Sequence, residues 1–305
     1  MVNDKVCAVV VTYNRKDLLK ECLSAITEQT YPVSKIILID NASTDGTFNY
    51  VQDTEWFKNG LIECKLMEKN TGGAGGFSEG IKLAREGSYD WVWLMDDDTI
   101  PSETALEELL KNKPEEKISY LASNVHSVNG EPMNVPTYSD KKSKHENLIK
   151  VEDATFVSVL ISMEAVNKCG LPYSEFFIWG DDTEYTMRLI KNYGPAYQVK
   201  TSEVLHKRAS SKNLSIKEEE NENRIGMYYY FFRNILVDRK LYPGKRSYGR
   251  FLLGAIRTSL TSLFTKNGFK KFTTIYKGIF SSFSFKGKVE QYISEQLSSG
   301  EQYGR

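Results

Sequence analysis

The sequence is poor in cysteine pairs, long apolar runs and net charge. Its 40 basic and 40 acidic residues balance, so the overall composition gives no sign of nucleic-acid binding. The four cysteines include no CxxC pair, which argues against a disulfide framework or a zinc site and favours a reducing cytoplasm. No run approaches the ~18 apolar residues of a spanning helix, and the apolar start is too short for a signal peptide. We expect a cytoplasmic protein that does not cross a membrane.

The N-terminal half alternates apolar runs with amphipathic segments. We predict strands over 6–12, 35–40, 62–68 and 91–95, and helices over 16–29, 47–53 and 76–85. This alternation indicates a parallel α/β sheet, which binds its ligand beyond the carboxyl ends of its strands. The residues just after each predicted strand are therefore the functional candidates.

Three adjacent carboxylates, Asp96, Asp97 and Asp98, follow the apolar run WVWLM. Burying them unpaired would cost many kcal/mol. Alternation along an extended chain places Asp96 and Asp98 on one side, as a divalent-cation clamp requires. The alternative is a solvated turn before a helix that enters at residues 99–102.

Two further segments follow predicted strands. Asp40 begins DNASTDGT, which is either a simple turn or a carboxylate that accepts a hydrogen bond from a base or ribose. The glycine-rich NTGGAGG at 70–76 lets the backbone approach a ligand at a helix N-terminus. It is neither a dinucleotide fingerprint nor a P-loop, and a simple glycine-rich turn is the alternative.

Another acidic pair, Asp181 and Asp182, follows an aromatic segment that ends in Trp179 and Gly180. Acids behind an aromatic wall can have raised pKa values and act as a general base. The same acids would also suit the first turn of a helix. His206 ends another predicted strand, and taken alone a single histidine is more often structural.

Taken together, VVVTYNR, DNASTDGT, DDD, WGDDTEY and VLHKRAS resemble, in order and spacing, the family 2 glycosyltransferases of the GT-A fold. The resemblance covers roughly residues 5–211, and NTGGAGG is similar to the galactofuranosyltransferase branch. It implies a nucleotide-diphospho-sugar transferase fold, with a Rossmann-like mixed α/β sheet and a helical C-terminal appendage.

The resemblance also implies a role for each matching residue. It implies a Mn²⁺ or Mg²⁺ site at Asp96, Asp98 and His206, and Asp182 as the catalytic base. The donor-binding residues that it implies are Thr12, Asp40, Asn70, Gly72, Gly73, Gly76 and Asp97. It places Trp179 and Asp181 in the acceptor pocket.

The expected activity is inverting transfer of galactofuranose from UDP-galactofuranose to a glycan or lipid-linked oligosaccharide, in surface polysaccharide synthesis. One alternative is a rhamnosyltransferase that uses dTDP-rhamnose. Another, from a different class, is a sugar-nucleotide-binding protein without catalysis. A nicotinamide-dependent dehydrogenase is the weakest alternative, because the first strand–helix junction, TYNRKD, lacks glycines.

The C-terminal third differs in charge. Between Arg239 and Lys288 there are twelve Lys or Arg and no Asp or Glu. We divide the chain into a catalytic domain, 1–211, and a helical basic region, 212–305. This region either packs its apolar side on the catalytic domain or rests on anionic lipid. We favour the second, as a peripheral protein on the inner face of the plasma membrane. No nucleic-acid motif is present, and oligomerisation through MYYYFF stays open.

Overall fold

The structure is a computed structural model that describes residues 4–139, 146–207, 215–243 and 247–286. The strands are β1 (Val6–Thr12), β2 (Lys35–Asp40), β3 (Ile62–Leu66), β4 (Trp91–Asp96), β5 (Thr99–Pro101), β6 (Tyr120–Ser127), β7 (Leu148–Lys150), β8 (Val159–Ser162) and β9 (Ala196–His206). The α-helices are α1 (Lys16–Thr27), α2 (Thr47–Asp53), α3 (Glu55–Lys58), α4 (Gly72–Glu86), α5 (Ala105–Lys111), α6 (Met163–Cys169), α7 (Asp181–Asn192), α8 (Glu222–Leu241), α9 (Tyr248–Ser262) and α10 (Gly268–Ser284).

All these strands join one sheet in the order β3-β2-β1-β4-β8-β6-β9-β5, with β7 also paired to β9. The four strands predicted from the sequence, β1 to β4, are parallel to one another. Beyond β4 the sheet is mixed, because β8 is antiparallel to β4 and β6 whereas β9 is parallel to β6. This mixed α/β sheet, followed by C-terminal helices, confirms the predicted fold class.

Both faces of the parallel half are covered, which explains its continuous apolar runs. Successive residues of β1 point to opposite faces. Ala8 and Val10 pack in the core with Leu23 of α1. Val9 and Val11 pack in the opposite core with Phe77 and other side chains of α4.

The glycine-rich segment differs from its prediction. Helix α4 begins at Gly72, four residues earlier than the predicted start at residue 76. The glycine run is thus the first turn and a half of the helix rather than a loop before it. A Cβ on Gly76 would lie 2.5 Å from Cγ1 of Val11, so this glycine lets α4 pack closely on β1.

Residues 99–102 do not enter a helix. Thr99–Pro101 forms β5, which pairs antiparallel with the end of β9, and the helix begins at Ala105. The pairing places Thr99 opposite His206. It therefore draws the end of β9 to the acidic residues that precede β5.

The three C-terminal helices pack on one another and on the catalytic part of the chain. Phe232, Leu236, Ala255, Ile275 and Ile279 form their shared core. The rings of the aromatic segment in α8 make contacts within the chain, among them Tyr230 stacked on Phe177 with centroids 4.8 Å apart. The predicted boundary between residues 211 and 212 lies outside the described residues. Within the described residues no helix meets the length and apolarity that a membrane span requires.

Candidate active site and metal centre

A cleft opens at the carboxyl ends of β1 and β4. It contains a cavity of about 320 Å³, here called the metal cleft. Seven of the residues predicted from the sequence line it: Gly73, Asp96, Asp98, Trp179, Asp181, Asp182 and His206. They come from β4, β9, α4 and α7 and the loops beside them, so the fold brings together residues that lie up to 133 positions apart (206 − 73).

Asp96, Asp98 and His206 form a cluster whose ligand atoms all lie within 4.8 Å of one another. Nε2 of His206 lies 3.0 Å from Oδ1 of Asp98. Nδ1 of the same ring lies 2.8 Å from the side-chain oxygen of Asn134, which fixes the ring plane. Two carboxylates and an imidazole suit Mn²⁺ better than an all-oxygen set would, and they also accept Mg²⁺.

The third carboxylate of the run, Asp97, points toward β1. Its Oδ2 accepts a hydrogen bond of 2.8 Å from the hydroxyl of Thr12. Nη1 of Arg15 lies 3.2 Å from Asp97 and 2.9 Å from Asp98. Arg15 lies in the TYNR motif, but the sequence had given it no role.

Burial and mutual repulsion disfavour the charged form of these carboxyls, as their raised pKa values indicate. Desolvation raises the pKa of Asp96 well above its ordinary value, and the neighbouring Asp98 and Asp97 raise it further. Burial raises the pKa of Asp97 to about 6, against the opposing effects of Arg15 and Thr12. A divalent cation would relieve this repulsion, so the residues present fit the metal.

Asp181 and Asp182 begin α7 beside this cluster. Asp181 is buried, and its pKa is raised well above the ordinary value by desolvation and by Asp182. Desolvation raises the pKa of Asp182 to about 6. The raised pKa makes the ionised Asp182 carboxylate a stronger base than an ordinary aspartate, as proton abstraction requires.

The loop before α7 is held in an unusual conformation. Phe177 and Trp179 have φ of 62° each, a left-handed conformation that costs non-glycine residues of order 1–3 kcal/mol. The side-chain amide of Asn234 in α8 offsets this cost. Its Nδ2 lies 2.9 Å from the carbonyl oxygen of Phe176, 3.1 Å from that of Ile178 and 2.7 Å from that of Trp179.

Asp40, one of the predicted donor-binding residues, lies at the end of the neighbouring strand β2. Asp40 is fully buried, and its Oδ1 accepts from the backbone N–H of Ser43 at 2.8 Å. Its Oδ2 makes no hydrogen bond with the residues that the structure describes. This buried acceptor has capacity for a ligand donor.

Asn70 and Asn41 hold the start of α4. Oδ1 of Asn70 accepts from the N–H of Gly72 at 2.8 Å. Asn41 donates to the carbonyl of Gly72 at 2.9 Å and accepts from the N–H of Thr71 at 2.8 Å. Asn41 had not been singled out from the sequence. Thus Asn70 and Gly72 shape the helix start, and Gly76 packs on the sheet.

A second cavity of about 320 Å³, here called the middle cavity, adjoins the metal cleft. Trp179 and Asp182 line both. Its other walls come mainly from one side of α8, including Phe231, Asp238 and Arg239. A ligand in this cavity and a ligand in the metal cleft would meet at Asp182.

Comparison with known proteins gives matches in sequence and in structure. A family model described as Glycosyl transferase family 2 matches residues 7–169. The galactofuranosyltransferase GlfT1 of Mycolicibacterium smegmatis is 27% identical over 219 residues, which cover 66% of this chain and 70% of that protein.

Two solved structures share the architecture. S. aureus TarS 1-349 in complex with UDP matches with a TM-score of 0.56 at 16% identity, over 86% of this chain and 75% of that one. The mannosyltransferase PcManGT from Pyrobaculum calidifontis, in complex with GDP-Man and Mn²⁺, matches with a TM-score of 0.54 at 14% identity, over 99% and 81%. These likenesses identify the fold as GT-A.

Proposed function

This chain belongs to glycosyl transferase family 2, and on that premise we propose that it transfers galactofuranose from UDP-galactofuranose to a glycan acceptor. The acceptor is lipid-linked, and the product enters a surface polysaccharide. One observation carries the proposal: the Asp96, Asp98 and His206 cluster and the Asp182 carboxyl line the same cleft. The similarity to the mycobacterial galactofuranosyltransferase supports the choice of sugar.

The donor would lie along the ends of β1, β2 and β4. We assign Asp40 and Thr12 to the uridine, because Asp40 offers a buried acceptor atom at this edge. Bound at Asp96, Asp98 and His206, Mn²⁺ or Mg²⁺ would offset the charge that develops on the departing diphosphate. Asp97, held by Thr12 and Arg15, would face the ribose or the sugar.

Asp182 performs the proton transfer. Its ionised carboxylate takes the proton of an acceptor hydroxyl as that oxygen forms a bond to the anomeric carbon. The bond from the anomeric carbon to the phosphate oxygen breaks, and UDP leaves with the electron pair. A single displacement inverts the anomeric configuration. Trp179 and Asp181 would position the acceptor, because both line the cleft beside Asp182.

The test is nucleotide diphosphate release from a panel of donors, with Mn²⁺ and a mixed lipid-linked acceptor pool. We expect UDP release from UDP-galactofuranose that requires the acceptor and stops with EDTA. The linkage in the product should have the anomeric configuration opposite to that of the donor. Release only from dTDP-rhamnose would overturn the sugar assignment. Donor binding without turnover of any donor would identify a non-catalytic binding protein.

We further propose that the protein acts at the cytoplasmic face of the plasma membrane. Four side chains on and between α9 and α10 are strongly exposed: Phe264 at 92%, Phe269 at 76%, Leu253 at 69% and Phe280 at 65%. Exposed Arg257 accompanies them. Exposed aromatic and basic side chains in the same pair of helices favour binding to anionic lipid.

The basic charge of this region is lower at the surface than the sequence count suggested. Lys266 and Lys270 each pair with a glutamate at 2.7 Å, Glu220 and Glu222 respectively. Lys271 is buried. The apolar side chains therefore carry more of the proposed membrane contact than the charge does.

Sedimentation with anionic and neutral vesicles tests the membrane proposal. Phe264→Ser should weaken binding to anionic vesicles. Val128→Ser, which replaces an exposed valine directly after β6, should not. If the unaltered protein stays in the supernatant with anionic vesicles at low salt, the membrane proposal is wrong.

A further inference from the structure

The main chain of His206 is fixed by strand pairing, but its ring needs a further contact. His206 ends β9, where it is paired with Thr99 of β5 on one side and with Ser127 of β6 on the other. Its side chain is buried. An imidazole has nearly the same shape after a half turn about the bond from Cβ to Cγ. Packing alone therefore does not choose between the two ring orientations.

The two orientations differ in what they offer a cation. In the observed orientation Nε2 of His206 lies 3.0 Å from Oδ1 of Asp98. A half turn would exchange Nε2 with a C–H group, which is no metal ligand. A metal also requires the ring nitrogen that carries no hydrogen. The metal cluster thus needs both the ring orientation and the position of the ring hydrogen to be fixed.

The side chain of Asn134 fixes both. Its Oδ1 lies 2.8 Å from Nδ1 of His206. An amide oxygen only accepts hydrogen bonds, so Nδ1 is the donor and carries the ring hydrogen. In the neutral ring the lone pair is then on Nε2, on the side of Asp98. A half turn of the ring would put a carbon against the amide oxygen and lose this hydrogen bond.

Asn134 reaches the ring because the chain turns back after β6. The N–H of Met133 donates to the carbonyl of Val125 at 2.9 Å, so the returning segment runs beside β6. Asn134 has a φ of 51°, a left-handed conformation that asparagine adopts more readily than most residues. The turn brings the amide to the end of β9, because Ser127 of β6 is the partner of His206.

The imidazole contributes more to the binding of one candidate cation than of the other. Mg²⁺ prefers oxygen ligands, whereas the transition metal Mn²⁺ accepts imidazole nitrogen more readily. Asp96 and Asp98 offer oxygen to either ion. The nitrogen of His206 therefore favours Mn²⁺, provided that Nε2 faces the site.

We propose that Asn134 is a positioning residue for the metal cluster and that it sets the preference for Mn²⁺ over Mg²⁺. It acts through the orientation and the ring hydrogen of His206, without contact to the cation. This inference rests on the metal site of the proposed function, and it adds the residue that prepares the nitrogen ligand. Residues that hydrogen-bond a metal-ligating histidine typically contribute ~10- to 100-fold to metal affinity.

The main test removes the amide and keeps the loop. Asn134→Gly does so, because glycine adopts a φ of 51° without strain. In calorimetric titrations with Mn²⁺ alone and with Mg²⁺ alone, its Mn²⁺ affinity should fall by ~10- to 100-fold and its Mg²⁺ affinity clearly less. Equal losses for the two cations would mean that the whole site had deformed, and would overturn the proposal. Asn129→Gly is the matched control in the same loop, since Asn129 is exposed and does not line the metal cleft. It should bind both cations as the unaltered protein does.

Two more variants test whether Asn134 acts through the histidine. Asn134→Asp keeps an acceptor for Nδ1, and aspartate also tolerates the left-handed conformation. It should retain the Mn²⁺ affinity and the preference for Mn²⁺, and a loss as large as that of Asn134→Gly would contradict the acceptor role. In a His206→Ala background, Asn134→Gly should cause little further loss, because both residues act through one ligand. An undiminished loss in that background would refute the proposal.

The same titrations separate this inference from the proposed function. If the unaltered protein binds Mn²⁺ and Asn134→Gly binds it equally well, this inference fails while the metal site of the proposed function stands. If the unaltered protein binds Mn²⁺ no more tightly than Mg²⁺, the preference assigned to Asn134 is wrong. If it binds neither cation, the metal site of the proposed function fails and this inference fails with it.

Discussion

Mn²⁺ should raise the melting temperature of this protein, and His206→Ala should remove most of that rise. The three ligands come together only in the folded chain, because His206 and Asp98 are 108 residues apart in sequence. A cation that binds the folded state alone stabilises it by mass action. The buried, mutually repelling carboxyls add to the effect, since the cation relieves their repulsion.

The size of the rise follows from the ligand concentration and the chain length. At a Mn²⁺ concentration of 100 times Kd, the stabilisation is about 2.7 kcal/mol. Unfolding entropy of about 2.1 cal/mol/K per residue gives roughly 0.64 kcal/mol/K for 305 residues. The expected rise is therefore about 4 °C. If loss of the imidazole weakens binding about 100-fold, the same concentration gives only ~0.4 kcal/mol, or less than ~1 °C.

The assay is thermal denaturation with and without Mn²⁺, and the difference is compared between variants. The difference matters because His206→Ala also removes contacts to Asp98 and Asn134 and lowers stability without metal. His126→Ala is the matched control, since His126 lies on β6 opposite Leu205 of β9 and outside the cluster. It should keep the full rise. A full rise in His206→Ala would refute the assignment of this ligand.

Three further predictions follow from the same region. Asp182→Asn should lower kcat by ~10² to 10⁴ with little change in UDP affinity, and near-normal turnover would contradict the base assignment. Gly72→Ala should lower the melting temperature, because the new Cβ would overlap the Phe177 carbonyl and because Gly72 has a φ of +73°. Gly73→Ala should not lower it, because a Cβ at Gly73 would meet open space. In EDTA, the free energy of unfolding should fall as pH rises from about 4 to 7, because the folded state keeps the proton on Asp97 up to its pKa of about 6. Asp97→Asn should reduce this pH dependence, which urea denaturation at each pH measures.

The parallel half of the fold could be predicted because each strand is covered on both faces. Its strands are therefore continuous apolar runs that end in polar residues, and β1 and β2 match their predicted bounds. The strands from β5 to β8 are three to eight residues long and depend on pairing with distant partners. Pairing with distant strands produces no local hydrophobic pattern in the sequence. For this reason the residues of β5 were interpreted as a possible helix start.

The two carboxylates of the metal cluster, Asp96 and Asp98, could also be predicted, because carboxylates after an apolar strand have few structural explanations. His206 was expected in the cluster only through the resemblance to the family. The residues that hold the metal ligands and the loop before α7 in place could not be predicted. Asn134 contacts a histidine 72 positions away, and Asn234 lies in an aromatic run whose rings dominate the pattern. An amide that satisfies carbonyls more than 50 residues away looks the same in sequence as an amide on the surface.

The three contacts of Asn234 also limit how chains of this kind can recombine. The loop 176–180 belongs to the catalytic part, yet its backbone is fixed by an amide from α8. A chimera that joined residues 4–207 of this chain to the C-terminal helices of a relative would need asparagine at the equivalent helical position. Without it, Trp179 would lose its support, even though every metal ligand was unchanged. If Trp179 contacts the acceptor as proposed, acceptor preference and the C-terminal helices would be inherited together.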